Sequence, residues 1–350
     1  MADRQAAQRP ASRVAVVGCG RIGSLWDEDA PLPAAKPLTH AAAYQSHAQA
    51  RLVALCDSEP ARLVTAARKR GVPAAFKALD ELLAAGAPDI VSLCTPAVGR
   101  LEAIRKIADA GCAVIFCEKP VAASLSEACE IRSFLAARAT RFVVNYQRRW
   151  DSILRAVKTI IGSGELGEIK KAAGLYGNGL ANNGSHLVDL ANLLFGAPRS
   201  AQALGTTADD RLDQDATLDA RITYLAGQRD FPLYLMGTDH RAYTVFELDI
   251  HFAEGRILIS DRAQQVDIFR ARRDSVFPGY RVLTRDDSRR SDAAMALSQA
   301  VDEVVGLHQQ GLGHVTCGID EAVSVLAVVE AARRSLRNGG REVLLEEPCR

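Results

Sequence analysis

A chain of 350 residues with 48% hydrophobic and 24% charged side chains has the balance of an ordinary globular protein and enough length for two hydrophobic cores. The 43 basic and 42 acidic side chains leave a formal net charge of +1, so no overall field recruits a nucleic acid or an anionic membrane surface. No segment approaches the roughly 20 apolar residues of a membrane span, and the first dozen residues lack the apolar core of a signal peptide.

Eight cysteines, at Cys19, Cys56, Cys94, Cys112, Cys117, Cys129, Cys317 and Cys349, form no Cys-x-x-Cys pair and meet no zinc-type histidine spacing, so no metal is expected. Most sit in apolar runs, where a free thiol packs as a small hydrophobe. That usage predicts a reducing, cytoplasmic setting.

In chain order, the short β-branched runs at 13–19, 51–57, 89–96, 113–120 and 141–147 read as buried strands, each separated from the next by an Ala-rich helical stretch. Strand alternating with helix predicts a doubly wound parallel sheet over residues 12–145. Past residue 150 the rhythm changes. A helix at 151–162, a Gly-rich connection and a second helix ending at Gly196 and Pro198 lead into longer strands that alternate apolar and polar positions, such as Phe246, Leu248, Ile250 and Phe252. Glu254-Gly255 predicts a hairpin, 271–291 an exposed loop, and 292–309 and 318–337 closing helices. Residues 146–345 are therefore expected to form an α+β domain with a largely antiparallel open sheet.

Gly18, Gly20 and Gly23 in VVGCGRIG have G-x-G-x-x-G spacing directly after the first strand. The first glycine suits a tight turn, the second a close backbone approach to a pyrophosphate, and the third close packing of the following helix. Cys19, Arg21 and Ile22 complete this cofactor loop. Asp57 ends the next strand, where a carboxylate accepts ribose hydroxyls and repels a 2′-phosphate, so the expected cofactor is NAD, with NADP as the alternative. The separation is lengthened by an insertion at 24–39 with three prolines, read as a loop beside the phosphates, either a tolerated surface insertion or a lid; the helix resumes near His40.

With VVGCGRIG, Glu118-Lys119-Pro120 after a strand, and NNGSHLVDLANLLFG around His186, the chain resembles the Gfo/Idh/MocA family, the glucose-fructose oxidoreductase and inositol dehydrogenase group. NYQRRWDSILRAVKTIIGSGELGEI and DEAVSVLAVVEAARRS extend the resemblance over nearly the whole chain. It implies a Rossmann domain followed by the α+β domain, a sugar-like substrate, a homodimer or homotetramer assembled through the second sheet, and Thr95, Pro96, Glu118 and Lys119 against the cofactor.

Lys119 follows a strand at its carboxyl end, where open α/β sheets bind ligands. His186 reads as a first-turn helix residue capped by Asn182, Asn183, Gly184 and Ser185, so the helix dipole and a nearby ammonium keep its imidazole neutral. The pair suits a general base and an electrostatic stabiliser acting on one hydroxyl oxygen. The resemblance implies an aspartate four residues before this histidine, and the chain has Asn182 there. Asn can orient a group but cannot take up a proton. Asp189 reads as an ordinary helix residue. Where the family often carries Asn and His, this chain has Ala97 and Arg100, the arginine either contacting an anion or sitting solvated at a helix start. Tyr146 and Arg149 are expected substrate contacts, with Tyr176 and Asn178 approaching the same helix. His40, His47, His240, His251, His308 and His314 read as surface or packing residues. The expected function is hydride transfer between a nicotinamide and a sugar, nucleotide sugar or cyclitol. The alternatives are a dinucleotide-sensing binding protein and an enzyme that oxidises transiently with a tightly bound NAD.

Overall fold

The computed structural model describes residues 10–28, 37–207, 215–226, 229–291, 293–345 and 349. The described residues of Met1–Ala123, Glu130–Gln147 and Ala294–Ile319 form one compact unit, and those of Ser124–Cys129, Arg148–Ala293 and Asp320–Arg350 form a second.

The first unit is built on β1 (Ser12–Val17), α1 (His40–Ser46), β2 (Ala50–Cys56), α2 (Pro60–Arg70), β3 (Ala75–Phe76), α3 (Leu79–Ala84), β4 (Ile90–Leu93), α4 (Arg100–Asp109), β5 (Val114–Cys117), the part of the helix α5 (Leu125–Ala136) from Glu130 on, and β6 (Arg141–Val144). Its six strands are parallel in the order β3-β2-β1-β4-β5-β6. The winding reverses between β1 and β4. Val14, Ala15, Val16, Ile90, Val91, Val114 and Ile115 are fully buried, because a parallel strand covered by helices on both faces has no solvent side. Helix boundaries follow local chemistry. Pro60 opens α2 with its fixed φ, the Glu59 side chain accepts the Ala61 N–H, and Gly71 ends the helix at φ +64°.

After the glycine loop the chain makes a π-type turn over Arg21–Leu25 and a 3-10 turn over Trp26–Glu28, and an α-helix resumes at His40. Asp27 joins the two described ends of the insertion: its carboxylate accepts the Leu38 N–H at 2.6 Å, the Thr39 hydroxyl, and Arg70 Nη2 at 2.8 Å. Residues 29–36 lie outside the described residues, and with them most of the loop read as an insertion or lid. The sequence reading puts all of 146–345 in the second domain, whereas the helix Ala296–Gln309 belongs to the first unit. There His308 Nδ1 lies 2.8 Å from Ser12 Oγ, and Gln309 Nε2 donates to the same oxygen at 2.9 Å.

The second unit contains α6 (Ser152–Ser163), β7 (Ile169–Gly177), a π-type turn (Gly179–Gly184), α7 (Ser185–Phe195), β8 (Pro198–Thr207), β9 (Thr217–Ala226), β10 (Arg229–Thr238), β11 (Phe246–Phe252), β12 (Gly255–Ser260), β13 (Gln265–Arg273) and β14 (Arg281–Arg290). Then come α8, the Ala296–Gln309 helix already placed, α9 (Ile319–Arg337) and β15 (Val343–Leu344). The sheet order is β14-β13-β12-β11-β7-β10-β9-β8-β15, antiparallel except for β7 beside β10. In β11, Phe246, Leu248, Ile250 and Phe252 are buried while the residues between them are half-exposed. Packing of α7 on β7 explains Gly174, where a Cβ would lie 2.6 Å from Leu187 Cδ2.

Two expectations fail here. Residues 271–291 are not a loop but the end of β13 and all of β14, an edge strand whose charged side chains hide its pattern. Arg270 and Arg272 pair with Asp286, and Arg281 pairs with Glu254, across neighbouring segments. Cys129 and Cys349 form a disulfide, while the other six cysteines carry thiols, so the step from cysteine usage to a reducing compartment does not hold for this pair. No helix among the described residues is long and apolar enough to cross a membrane.

Candidate functional site

In the first unit a cleft of about 570 Å³ opens at the carboxyl ends of β1, β2, β4 and β5, around the point where the winding reverses. Gly18 has φ +93°, and a Cβ there would lie 2.7 Å from the Cys94 carbonyl carbon and 2.8 Å from the Thr95 nitrogen. A Cβ on Gly23 would fall 1.9 Å from the Gly18 carbonyl oxygen. Gly20 differs: a Cβ there meets nothing within 4 Å, so this glycine leaves space instead of relieving a clash. Such a loop, tight at both ends and open in the middle, fits a pyrophosphate. Ile22, Thr95, Pro96, Glu118 and Lys119 line the same cleft. Cys19 and Arg21 face elsewhere. The Cys19 thiol is buried, which pushes its pKa up to about 12 with help from Asp57, and Arg21 stacks over the Trp26 ring at 4.9 Å.

Asp57, only 6% exposed, holds this loop from below. Its Oδ2 accepts the Cys19 N–H at 2.7 Å and Arg62 Nε at 2.8 Å; its Oδ1 accepts the Glu59 N–H and Arg62 Nη2, both at 2.8 Å. Burial pushes the carboxyl upward, but the Arg62 guanidinium and the two N–H donors outweigh it and leave it below the usual carboxylate value. The insertion therefore does not displace Asp57 from the glycines. Arg62 was not foreseen, and it occupies the oxygens assigned to ribose hydroxyls.

At the other end of the cleft, β5 runs into Glu118, Lys119 and Pro120, with a cis Lys119–Pro120 peptide. Arg100, neither solvated nor facing an anion, is buried and donates Nη1 to the Glu118 and Pro120 carbonyls and Nη2 to the Thr95 carbonyl. It fastens two walls of the cleft together. Tyr146 is also buried, at 1% exposure, within this unit's core.

In the second unit the helix carrying His186 begins earlier than its sequence suggests. Gly184 is already helical, at φ −58° and ψ −34°, and no side chain caps it. The helical run starts at Gly179, after Asn178 in the left-handed region at φ +66°, so His186 lies about two turns in rather than in the first turn. The four N–H groups that a helix start leaves unpaired all find partners in residues 215–217. Gly179 donates to Thr217 Oγ1 at 2.9 Å and Leu180 to the Ala216 carbonyl at 3.2 Å; Ala181 and Asn182 donate to Asp215 Oδ1 and Oδ2 at 2.9 and 2.8 Å. Asp215 also pairs with Arg333 at 2.7 Å. The Asn182 side chain donates to the Asn178 carbonyl at 3.2 Å, which brings Asn178, Asn182 and His186 into one turn-and-helix element. Tyr176 supports it from below, its hydroxyl donating to the Leu218 carbonyl at 2.7 Å and accepting the Leu218 N–H at 2.9 Å.

Arg149 meets the same helix one turn beyond His186. Its Nε donates to Asp189 Oδ1 at 2.8 Å, and both side chains are buried. Burial pushes the Asp189 carboxyl up to about 6 against the pull of Arg149. Asp189 is a buried residue of α7 whose carboxylate is taken by Arg149.

Residues 12–146 match the model of an oxidoreductase family with an NAD-binding Rossmann fold, Gfo/Idh/MocA. Over this segment the chain carries the NAD-binding Rossmann domain of the Gfo/Idh/MocA family. Over 345 residues it is 24% identical to inositol 2-dehydrogenase of Rhizobium meliloti, covering 93% of this chain and 96% of that one. It is 26% identical over 220 residues to D-glucoside 3-dehydrogenase of Escherichia coli, covering 55% and 59%. The fold matches the WlbA dehydrogenase of Bordetella pertussis, solved with NADH and UDP-GlcNAcA, at a TM-score of 0.75 and 21% identity, covering 96% and 99%.

Sequence reasoning missed three groups: in the first unit Arg62 on Asp57, and His40; in the second Asp215 beneath Asn182. The histidine is fully buried, with Nε2 2.9 Å from Glu118 Oε1 and Nδ1 2.7 Å from Ser92 Oγ. No local signal selects it, because its partners Ser92 and Glu118 lie far along the chain.

Proposed function

We propose that the protein is a nicotinamide-dependent dehydrogenase or reductase that moves a hydride to or from a CH–OH carbon of a sugar, nucleotide sugar or cyclitol. The observation that carries this reading is the open glycine cradle in one cleft with Lys119, in a chain of this oxidoreductase family. The substrate class follows from the inositol and glucoside dehydrogenases it resembles. Asp57 stands at the adenosine end of the cleft with Arg62 paired to it, and NAD is the cofactor proposed, with NADP as the alternative.

The bound dinucleotide supplies the hydride acceptor or donor. Lys119 Nζ hydrogen-bonds the substrate oxygen and stabilises the alkoxide charge that develops there. A ring nitrogen of His186 takes the hydroxyl proton and returns it in the reducing direction. Asn182 orients a hydroxyl or the imidazole but holds no proton of its own to exchange. Arg149, engaged with Asp189, and the buried Tyr146 are assigned to support of the fold rather than to substrate.

The test is NADH formation from NAD with a panel of sugars and cyclitols, followed by variants on the best substrate. Lys119→Ala and His186→Ala should each lower turnover by roughly two to four decades with little change in NAD affinity. The double variant should be scarcely worse than the poorer single one, because the two act on one proton transfer. Near-normal turnover of both single variants at saturating NAD refutes the assignment.

A further inference from the structure

Beneath the Glu118–Lys119 corner lies a buried polar cluster that the reading above does not use. Glu118 Oε1 receives Asn145 Nδ2 at 2.6 Å and lies 2.9 Å from His40 Nε2; Oε2 receives the Lys119 N–H at 3.2 Å. Behind the histidine, Nδ1 faces Ser92 Oγ at 2.7 Å, and Ser92 Oγ lies 3.4 Å from the Tyr44 hydroxyl. The imidazole also packs against the Phe116 ring, 4.7 Å between centroids. Tyr44, Ser92 and His40 have no exposure, and Glu118 retains 8%, at the wall of the cleft.

The pattern of donors shows which form of Glu118 the cluster is built for. Asn145 directs its amide nitrogen at the carboxylate although its own Oδ1 is then buried with no hydrogen-bond partner among the described residues. An amide accepts that loss only opposite an acceptor that needs a donor. Burial pushes the Glu118 carboxyl up, but His40, Asn145 and Lys119 together hold it below the usual carboxylate value. The titratable and charged groups facing it are His40 from α1 and the adjoining Lys119, while the Arg100 guanidinium from α4 is spent on backbone carbonyls, that of Glu118 among them. A lone carboxylate would not stay ionised in so dry a place.

We propose that His40, backed by Ser92 and aided by Asn145, is a positioning residue that holds a permanent negative charge on Glu118 at the nicotinamide end of the cleft, so that the oxidised cofactor binds in preference to the reduced one. This rests on the nicotinamide-binding reading. In a 3-2-1-4-5-6 sheet with the adenosine half toward Asp57 after β2, the nicotinamide half falls toward β4 and β5, where Glu118 and Lys119 stand. The oxidised ring carries a positive charge and the reduced ring none. Two cations, Lys119 and Arg100, already occupy that end, and without the carboxylate the oxidised ring meets only like charge. Behind the histidine an uncharged serine hydroxyl meets Nδ1 and the Phe116 ring packs on its face, which leaves Nε2 to the Glu118 side.

The experiment measures dissociation constants for NAD+ and NADH, by NADH fluorescence and its displacement, in the wild type, Glu118→Gln, His40→Leu and His40→Gln. Glu118→Gln should reduce the NAD+ over NADH affinity ratio roughly tenfold. His40→Leu should reduce it in the same direction by a smaller factor, and His40→Gln, whose amide keeps a donor, should recover most of it. Should Glu118→Gln fail to fold, the two His40 variants decide the matter by themselves. A ratio that stays at the wild-type value in His40→Leu, or equal loss of both cofactor forms, overturns the proposal and leaves the cluster a folding element. If the wild type binds neither form, the nicotinamide reading itself is wrong.

Discussion

The start of the His186 helix is held by one carboxylate from elsewhere in the chain, and removing it is the sharpest test of how this part of the site is built. Asp215→Ala takes acceptors from the N–H groups of Ala181 and Asn182 and leaves Arg333 without this carboxylate. Loss of a helix cap costs about 0.5–2 kcal/mol, and hydrogen bonds to a charged acceptor about 1.5–3 kcal/mol each. Both amides belong to half-exposed residues, so water replaces part of what is lost, and the Arg333 side chain is exposed enough to rehydrate. The expected local cost is about 2–3 kcal/mol, which raises the opening equilibrium of this turn roughly 30- to 160-fold. Amide hydrogen exchange at Ala181 and Asn182 reads that directly, without assuming that a two-unit chain unfolds in one step. Asp215→Asn, keeping one oxygen, should show about half the effect. Gly179 supplies an internal control, since a Cβ there would lie 2.2 Å from Asp215 Oδ2 and φ is +84°. Gly179→Ala should therefore cost more in the wild type than in Asp215→Ala, where the carboxylate clash is gone and what remains is the backbone penalty of about 1–2 kcal/mol and a 2.8 Å approach to the residue-215 carbonyl oxygen. Turnover should fall with the exchange protection while NAD affinity holds, because the dinucleotide cleft is lined by the first unit. Exchange at both amides that changes less than about threefold, or an equal cost of Gly179→Ala in both backgrounds, refutes this account of the turn.

Three further outcomes are expected. Arg62→Ala should free the Asp57 oxygens and widen the preference for NAD over NADP, whereas Asp57→Ala should release Arg62 toward a 2′-phosphate and narrow it; measured dissociation constants that move together in both variants rule out the pair as the selector. Asp189, raised from an ordinary 3.8 to about 6 by burial, is favoured protonated in the folded state, so its contribution to stability is full below about pH 4 and is lost as pH rises through 6. The unfolding free energy of the wild type should therefore fall by up to ~3 kcal/mol across that window relative to Asp189→Asn, and parallel pH profiles would contradict it. Tyr234 and Met236, exposed on β10 between buried Phe231, Leu233 and Leu235, mark the sheet face proposed to join two subunits; Met236→Glu should dissociate the oligomer, and a monomer mass for the wild type at micromolar concentration in light scattering removes the idea.

What the sequence discloses depends on how far away the reason for a residue lies. Gly18, Gly20 and Gly23 are legible because turn, opening and close packing are all decided within one strand-to-helix connection. The alternation of Phe246, Leu248, Ile250 and Phe252 is legible for the same reason. Asn182 to Ser185 mislead because they are good capping types, yet the caps come from Asp215 and Thr217, more than 30 residues on, and the helix simply begins earlier. β14 is hidden because an edge strand can be charged on both faces, its pairs from Arg281 to Glu254 and from Asp286 to Arg270 and Arg272 invisible in a composition that reads as loop. Cys129 and Cys349, 220 residues apart, leave no local trace of their bond. His40 is the most instructive case. Its partners Ser92 and Glu118 stand 52 and 78 residues away on adjacent strands, so no spacing rule selects it. The parallel sheet brings them together, because β4 and β5 are in register with Ser92 opposite Phe116, and α1 drops its first residue onto that point. A buried histidine between a hydroxyl and a carboxylate must have both ring nitrogens engaged, and that requirement ties the amino-terminal end of α1 to the corner that presents Lys119.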